Sequence, residues 1–85
     1  MKHLLNSLYI TTQGTYLARE GETVVVRREK ETKLQIPIHT LSGILCFGQV
    51  SCSPPLMGLC GARNVTLSFF SEQGRFLARV YGPVS

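Results

Sequence analysis

The 85-residue sequence contains no aspartate, no tryptophan and no long apolar run. Without aspartate, carboxylate chemistry would fall to five glutamates at predicted turns, which are Glu20, Glu22, Glu29, Glu31 and Glu72. Turn carboxylates are ordinarily solvated, so we expect no carboxylate pair that performs general acid–base catalysis. No apolar stretch approaches the ~20 residues that a membrane-spanning helix needs. These absences argue against a catalytic carboxylate pair and against a membrane partner.

Cysteine and histidine are scarce, and their spacing predicts no metal site. Cys46, Cys52 and Cys60 do not have the CxxC spacing of a zinc site or a redox motif. A Cys52–His39 nucleophile stays open, but it would need an activated thiolate that the pattern does not predict. Buried free thiols suit a reducing compartment, and Met1–Ser7 turns polar too early for a signal peptide, so we expect a cytoplasmic protein.

Short β-strand patterns account for most of the chain, whose length suits one domain. The predicted strands are Leu4–Thr12, Thr15–Arg19, Thr23–Arg28, Thr32–Ile36, Gly43–Gly48, Val65–Phe70 and Arg75–Tyr81. The first forty residues resemble an antiparallel meander, and the apolar run Gly43–Gly48 is typical of a strand buried on both faces. Ser53 as N-cap and Pro54 at the first helical position predict one short helix, which Asn64 would end. We therefore predict a mainly β, small two-sheet domain of about seven short antiparallel strands with one short α-helix.

Positive charge exceeds negative charge, with nine Lys and Arg against five Glu and a net charge of +4. This balance suits a polyanionic partner such as nucleic acid, or it serves solubility alone. Arg27 and Arg28 lie at one predicted hairpin, interleaved with glutamates, whereas Arg19, Arg75 and Arg79 lie on strands with few acidic neighbours. These five arginines are the candidate DNA-binding residues, and their phosphate contacts would be salt-sensitive and independent of sequence.

A set of short motifs, in a fixed order, covers nearly the whole chain. They are Leu8–Thr11, Tyr16–Val26, Ile36–His39, Gly43–Gly48, Ser53–Cys60, Val65–Phe70 and Gly74–Val80. Each motif is only apolar patterning and turn chemistry, but the ordered set is specific. It resembles the start of the CRISPR-associated endonuclease of spacer acquisition, the Cas-one family.

The resemblance implies a division of labour between two domains. Residues 1–85 would be the N-terminal β-domain, which forms a homodimer, and two such dimers would flank a dimer of the Cas-two protein. The assembly would insert foreign DNA into the CRISPR array as antiviral defence, acting on double-stranded repeat and prespacer DNA. A helical C-terminal domain would hold a divalent metal, Mg or Mn, through Glu, His and Asp or Glu side chains. The chain stops at Gly82–Ser85, where the family would cross into that domain, so we expect no cofactor and no activity in this fragment alone.

Two further expectations concern aromatic side chains. In the family, a ring near the first hairpin loop can cap the end of a bound duplex; here only Tyr9 and Tyr16 flank that loop, and we expect both in the core. The alternative function is a free-standing small β-barrel that binds nucleic acid, which would display aromatic side chains on a strand face for base stacking. A small metal-dependent enzyme is a third hypothesis, and we expect no such activity.

Overall fold

The computed structural model describes residues 1–82, except for the side chain of Leu4. Nine strands, one α-helix and one short 3₁₀ turn follow one another along this part of the chain. They are β1 Lys2–Leu4, β2 Ser7–Ile10, β3 Thr15–Glu20, β4 Thr23–Arg28, β5 Glu31–Pro37, the 3₁₀ turn Ile38–Thr40, β6 Gly43–Phe47, β7 Val50–Cys52, α1 Pro54–Ala62, β8 Thr66–Phe70 and β9 Phe76–Val80.

The strands form two sheets. The five-stranded sheet has the order β1-β2-β6-β8-β9, and the four-stranded sheet has the order β5-β4-β3-β7. Strand β6 pairs in parallel with both β2 and β8, and β3 pairs in parallel with β7. The pairs β1–β2, β3–β4, β4–β5 and β8–β9 are antiparallel. Both sheets are therefore mixed.

The predicted class is confirmed: the domain is mainly β, with two sheets and one short helix. Two details of the prediction are wrong. The described residues form nine strands rather than about seven, because β1 and β7 are three-residue strands too short to leave a periodic pattern. The pairing is not wholly antiparallel, and the first forty residues are not one meander, because β2 and β3 belong to different sheets.

Long connections explain the parallel pairs, since a parallel strand must be reached by a crossover. Between β2 and β6 the chain builds β3, β4 and β5, which are most of the other sheet. Between β6 and β8 it forms β7 and α1. Strand β6 thus lies at the centre of the five-stranded sheet, and Ile44 and Cys46 are almost fully buried. Leu45 and Phe47 on its other face are only half-buried, so the prediction of a strand buried on both faces is wrong.

The hydrophobic core lies between the inner faces of the two sheets. Leu8, Ile44 and Leu67 from one sheet join Leu17 and Val26 from the other in a single cluster. All five are fully buried. Burying an aliphatic side chain of this size contributes about 1.5–3 kcal/mol. One core therefore holds both sheets together, and their outer faces and edge strands remain for contacts with other molecules.

Helix α1 packs against β3 and β8, one strand from each sheet. The Ser53 hydroxyl accepts a hydrogen bond from the Leu56 N–H at 3.3 Å, and a proline occupies the first helical position, as predicted. Asn64 follows the helix with φ 57°, the left-handed geometry that the sequence predicted for its end. Leu56 and Leu59 point into the core. The helix therefore bridges the two sheets.

Candidate nucleic-acid cleft and assembly face

A basic cleft of about 490 Å³ lies beside the β4–β5 hairpin. Its lining residues are Gly14, Tyr16, Arg27, Arg28, Glu29, Lys30 and Thr32. Three cationic side chains thus face this cleft with one carboxylate. Tyr16 pairs with Arg27 across β3 and β4, so both side chains lie on the outer face of the four-stranded sheet. We refer to these seven residues as the basic cleft.

The cleft depends on a tight hairpin turn. Glu29 and Lys30 are the two loop residues, with φ of 54° and 65°. Positive φ at both positions is the requirement of a type I′ turn, which matches the twist of paired strands. Neither residue is glycine, so this backbone geometry costs roughly 1–2 kcal/mol per residue. The turn places Lys30 at the mouth of the cleft.

The positive charge of the cleft is only partly neutralised. Arg27 lies 3.6 Å from Glu20, and Arg28 lies 3.7 Å from Glu29. Both ion pairs are exposed, and such pairs are typically worth about 1 kcal/mol or less. Among residues 1–82, Lys30 has no carboxylate within 4 Å. Weak pairs of this kind can be exchanged for phosphate contacts.

Tyr16 lines the cleft from strand β3. Its side chain is 41% exposed, so the expectation that it lies in the core is wrong. The reason is its register: Tyr16 pairs with Ser51 and Arg27 on the outer face, while its neighbours Thr15 and Leu17 point inward. An exposed ring among cationic side chains suits stacking on a nucleobase. Tyr9 is half-buried on the outer face of the other sheet, and thus also outside the core.

Arg19 does not join the basic cleft. Its Nε donates to the Gly21 carbonyl at 2.7 Å, and its guanidinium lies 3.7 Å from Glu22. Glu22 also accepts from Arg63 Nε at 2.7 Å, which ties the β3–β4 turn to the end of α1. The hydrogen bond from Arg63, with its positive charge, holds the pKa of Glu22 below the usual carboxyl value. This cluster is mainly a structural clamp.

Arg75 and Arg79 lie on the other sheet. Arg75 is exposed at the end of the β8–β9 hairpin loop, and Arg79 is on the edge strand β9. Arg79 Nε donates to the Ser68 hydroxyl at 3.2 Å, and its guanidinium lies 5.6 Å from the centre of the Phe76 ring. Arg19 lies on β3, which belongs to the other sheet and is not a neighbour of β9. The structure therefore does not bring Arg19, Arg75 and Arg79 together into one patch. The DNA-binding role of the five predicted arginines stays a prediction.

The outer face of the five-stranded sheet is largely aromatic. Phe47 and Phe70 stack with ring centres 4.8 Å apart, and Phe76 meets Phe70 edge-on at 5.7 Å. Strand pairing places the side chains of Tyr9, Leu45 and Arg79 on the same outer face as these rings. We define the aromatic face as Tyr9, Leu45, Phe47, Phe70, Phe76 and Arg79. Phe76 is 53% exposed, so the domain presents large apolar side chains outside its core.

Strand β9 adds an exposed edge to the aromatic face. It is the last strand of its sheet, and its backbone groups on one side have no strand partner within the described residues. Phe76, Leu77 and the adjacent Tyr81 are 53%, 60% and 79% exposed. Exposed edge strands readily pair with another chain, and large exposed apolar side chains mark interaction surfaces. This edge and the aromatic face together suit a protein partner.

Cys46 and Cys60 are buried, and Cys52 is half-buried. Burial raises the pKa of the Cys46 and Cys52 thiols to about 12 and that of Cys60 to about 11, and neighbouring thiols add to the effect at Cys46 and Cys52. A thiol with such a pKa is almost fully protonated near neutral pH, so it is a poor nucleophile. The Cys52–His39 nucleophile left open by the sequence therefore lacks its ionised sulfur.

The residues that the structure describes do not form a metal site. Within 1–82, no three His, Cys, Asp or Glu side chains converge to hold an ion. The divalent metal implied by the resemblance thus does not fit these residues. Within the same range, no helix has the length and apolar character needed to cross a membrane. Of the predicted junction at Gly82–Ser85, only Gly82 lies within the described residues.

Sequence patterns missed three contributors to these surfaces. Lys30 and Gln13 are not among the predicted site residues, and Tyr16 is predicted to lie in the core. The Gln13 side chain makes three hydrogen bonds, one within its own turn and two to the β6–β7 turn. Alternation along Thr15–Arg19 could have indicated the exposure of Tyr16, because the buried Leu17 is its neighbour. The Gln13 contacts leave no local signal.

Comparison with known proteins gives consistent matches in sequence and in structure. The family model described as "CRISPR associated protein Cas1" matches residues 8–85. The chain is 52% identical to "CRISPR-associated endonuclease Cas1 1" of Chlorobaculum tepidum, over 99% of this chain and 24% of the relative. It is 42% identical to "CRISPR-associated endonuclease Cas1 2" of Rhodospirillum rubrum, over 100% of this chain and 25% of the relative. The chain therefore spans about a quarter of the length of these curated relatives.

Solved structures show the same fold. A partial Cas6-RT-Cas1–Cas2 complex matches 91% of this chain and 23% of its own, with a TM-score of 0.83 and 13% identity. A TtCas1–DNA complex matches 96% of this chain and 32% of its own, with a TM-score of 0.75 and 15% identity. At these identities the likeness shows the fold alone. That fold consists of two open sheets, not the closed barrel of the alternative hypothesis.

Proposed function

The chain belongs to the Cas1 family of CRISPR associated proteins, and we propose that it is the N-terminal β-domain of a CRISPR adaptation integrase. In this proposal the domain serves homodimerisation, complex assembly and DNA positioning, and it works in the cytoplasm. The helical catalytic domain and its Mg or Mn ion belong to a different segment of the intact protein. The 85-residue chain alone neither cuts nor joins DNA.

One observation carries the proposal: the two outer faces have different chemistry. The basic cleft offers cationic side chains and an exposed tyrosine ring on one sheet. The aromatic face offers stacked rings and an unpaired edge strand on the other. Cationic clefts with aromatic side chains suit nucleic acid, whereas apolar surfaces rich in large rings suit a protein. A domain that positions DNA within an assembly needs both.

The DNA-positioning role falls mainly to Arg27, Arg28 and Lys30. Their side chains would contact phosphate oxygens, which fixes the orientation of a duplex without reading its sequence. The Tyr16 ring lies beside them and would stack on the terminal base pair, which is the capping role that the family implies for a ring near the first hairpin loop. Arg19, Arg75 and Arg79 are weaker candidates, because Arg19 is held by Glu22 and the other two lie on the far sheet.

The assembly role falls to the aromatic face and to β9. A second copy of the chain would cover the exposed ring of Phe76 and the neighbouring Leu77, so that the same surface is used on both subunits. A partial Cas6-RT-Cas1–Cas2 complex contains a chain with the fold of this domain, which supports the expectation of a Cas-two partner for the intact protein. Double-stranded repeat and prespacer DNA would be the substrates of that complex.

Three measurements on the purified chain test the proposal. Light scattering at high micromolar concentration should give the mass of a dimer. Fluorescence anisotropy with a labelled DNA duplex should show binding that weakens steeply as salt is raised. A monomer at this concentration would contradict self-association, and undetectable duplex binding at low salt would contradict DNA positioning. Hydrolysis of the duplex with magnesium or manganese, lost on substitution of one of the chain's own residues, would contradict the assignment of catalysis to another segment.

A second candidate function is single-stranded nucleic-acid binding by the aromatic face. The Phe47, Phe70 and Phe76 rings with Arg79 above Phe76 form a surface on which bases could stack. Competition separates the two candidates. If unlabelled single strands displace the duplex at lower concentration than unlabelled duplex does, and if Phe76→Ala abolishes that advantage, the second candidate replaces the first.

A further inference from the structure

We propose that Gln13 is a positioning residue for the basic cleft, which rests on the proposed DNA-binding role of that cleft. Its side chain fastens the β2–β3 turn to the β6–β7 turn, and its main-chain carbonyl holds the Arg28 side chain in place. Gln13 contacts no DNA in this proposal. It acts through Arg28, which lines the cleft.

The Gln13 amide uses both of its polar atoms across a distance of more than thirty residues in sequence. Its Nε2 donates to the Phe47 carbonyl at 2.9 Å and to the Thr11 carbonyl at 3.1 Å. Its Oε1 accepts from the Gln49 N–H at 2.6 Å. The opposite amide orientation would set the oxygen against two carbonyls, so the network determines which way the side chain points.

Gly48 makes room for this side chain. Its φ of +79° favours glycine, and a Cβ at this position would lie 2.8 Å from Gln13 Cδ and 2.7 Å from its Nε2. The Gly48 N–H donates to the Phe70 carbonyl at 2.9 Å, which secures the turn to the five-stranded sheet. Glycine at 48 and glutamine at 13 are therefore fitted to each other.

The main chain of the β2–β3 turn, which contains Gln13 and Gly14, reaches the cleft. Arg28 Nε donates to the Gln13 carbonyl at 3.2 Å, and the Gly14 N–H donates to the Gln49 carbonyl at 2.8 Å. Arg28 is exposed, and within residues 1–82 its one charged partner is the exposed Glu29. Without a fixed Gln13 carbonyl, its guanidinium would sample more positions, and each phosphate contact would cost more side-chain entropy.

If Gln13 positions Arg28 and does not merely stabilise the loop, the effect of replacing Gln13 on DNA binding should depend on the presence of Arg28. The first readout is duplex binding by fluorescence anisotropy, over a salt series, for Gln13→Ala alone and combined with Arg28→Ala. Gln13→Ala should weaken binding about fivefold and lower the slope of log K against log [salt] by up to about 0.9, the value of one phosphate contact. In the Arg28→Ala background, Gln13→Ala should have no further effect. Equal weakening in both backgrounds would overturn the proposal.

Two variants control for folding and for residue type. Gln13→Glu keeps the acceptor for the Gln49 N–H but loses both donated hydrogen bonds, so it should reproduce the binding defect if Gln13→Ala fails to fold. Gln73→Ala removes an exposed glutamine from the β8–β9 loop and should bind like the unmodified chain. If Gln73→Ala weakens binding as much as Gln13→Ala does, the position of the glutamine is irrelevant and the proposal fails.

The second readout needs no DNA. In the unmodified chain, the Arg28 Nε–H proton should exchange slowly with solvent, which its NMR signal reports. In Gln13→Ala, the signal should shift and the proton should exchange faster. If the chain binds no duplex, the proposed function fails while this signal still tests the role of Gln13. An Arg28 signal that is unchanged by Gln13→Ala would overturn the inference by itself.

Discussion

The four-stranded sheet turns Tyr16, Arg27 and Thr32 toward solvent, whereas the five-stranded sheet turns Leu45, Phe47 and Phe76 outward. The inner faces of both sheets share one apolar core. The aromatic face is a second apolar surface that lies outside this core. The two outer faces differ in chemistry because the register of each strand decides which of its alternating side chains point outward.

The largest expected effect concerns the core that the two faces share. Because burial raises the pKa of the three thiols to about 11–12, they should react with a thiol reagent at pH 8 on the order of 100-fold more slowly than in urea-unfolded chain. Absorbance of the released reagent measures both rates. Equal rates would mean that the sheets do not close on a common interior.

The same thiols give a signed pH dependence. An unfolded thiol ionises near its ordinary pKa of 9.0, while the folded thiols stay protonated until about pH 11–12. Between these values the unfolded state binds fewer protons, so stability should fall as pH rises above 9. Urea unfolding at pH 7, 9 and 10 checks this. Stability that rises over this interval would contradict the burial of the thiols.

The next largest effect should appear on self-association. Phe76→Asp places a charge among the stacked rings of the aromatic face, and loss of a central aromatic contact commonly costs about 2 kcal/mol, or roughly thirtyfold in dimer affinity. Sedimentation equilibrium measures the dimer constant. Thr32→Asp is the matched control, since it adds the same charge to the outer face of the other sheet and should leave the dimer intact.

A smaller effect should separate the two faces in DNA binding. Arg27→Ala removes one phosphate contact and should weaken duplex binding by about fivefold to tenfold, with a salt slope lower by about 0.9. Arg79→Ala removes the same side chain from the aromatic face and should change neither quantity. If Arg79→Ala had the larger effect, the assignment of the two faces would be reversed.

The smallest effect concerns helix α1, which joins the two sheets. A Cβ on Gly58 meets no atom within 4 Å, so Gly58→Ala should stabilise the chain by about 1 kcal/mol through helix propensity. A Cβ on Gly61 would lie 2.8 Å from Gly82 Cα, so Gly61→Ala should lose that gain. Urea denaturation compares the two variants. Equal stabilisation would show that the Gly61–Gly82 contact does not hold the end of β9 against the helix.

Local sequence signals predicted the elements better than their arrangement. Ser53, Pro54 and Asn64 marked both ends of α1, because capping depends on a few neighbouring residues. The parallel pairing of β6 with β2 and β8 could not be predicted from periodicity, because it depends on contacts between segments far apart in sequence.

The two outer faces were only partly foreseen. Arg27 and Arg28 were predicted as candidate DNA-binding residues from charge alone, and they do line one cleft. The prediction that Tyr16 lies in the core is wrong because alternation along β3 places Tyr16 on the face opposite to the buried Leu17. Gln13 escaped notice for a related reason, since its partners Phe47 and Gln49 lie more than thirty residues away.

The most direct test of the division between the faces is a pair of NMR titrations on ¹⁵N-labelled chain. Addition of a DNA duplex should shift the backbone signals of the basic cleft, above all Gly14, Tyr16 and Arg28, and leave Leu45 and Phe70 unchanged. Dilution of the chain without DNA should shift Leu45, Phe70 and Phe76 and leave the cleft unchanged. Shifts caused by the duplex that are concentrated on the aromatic face, or dilution shifts concentrated in the cleft, would contradict the division.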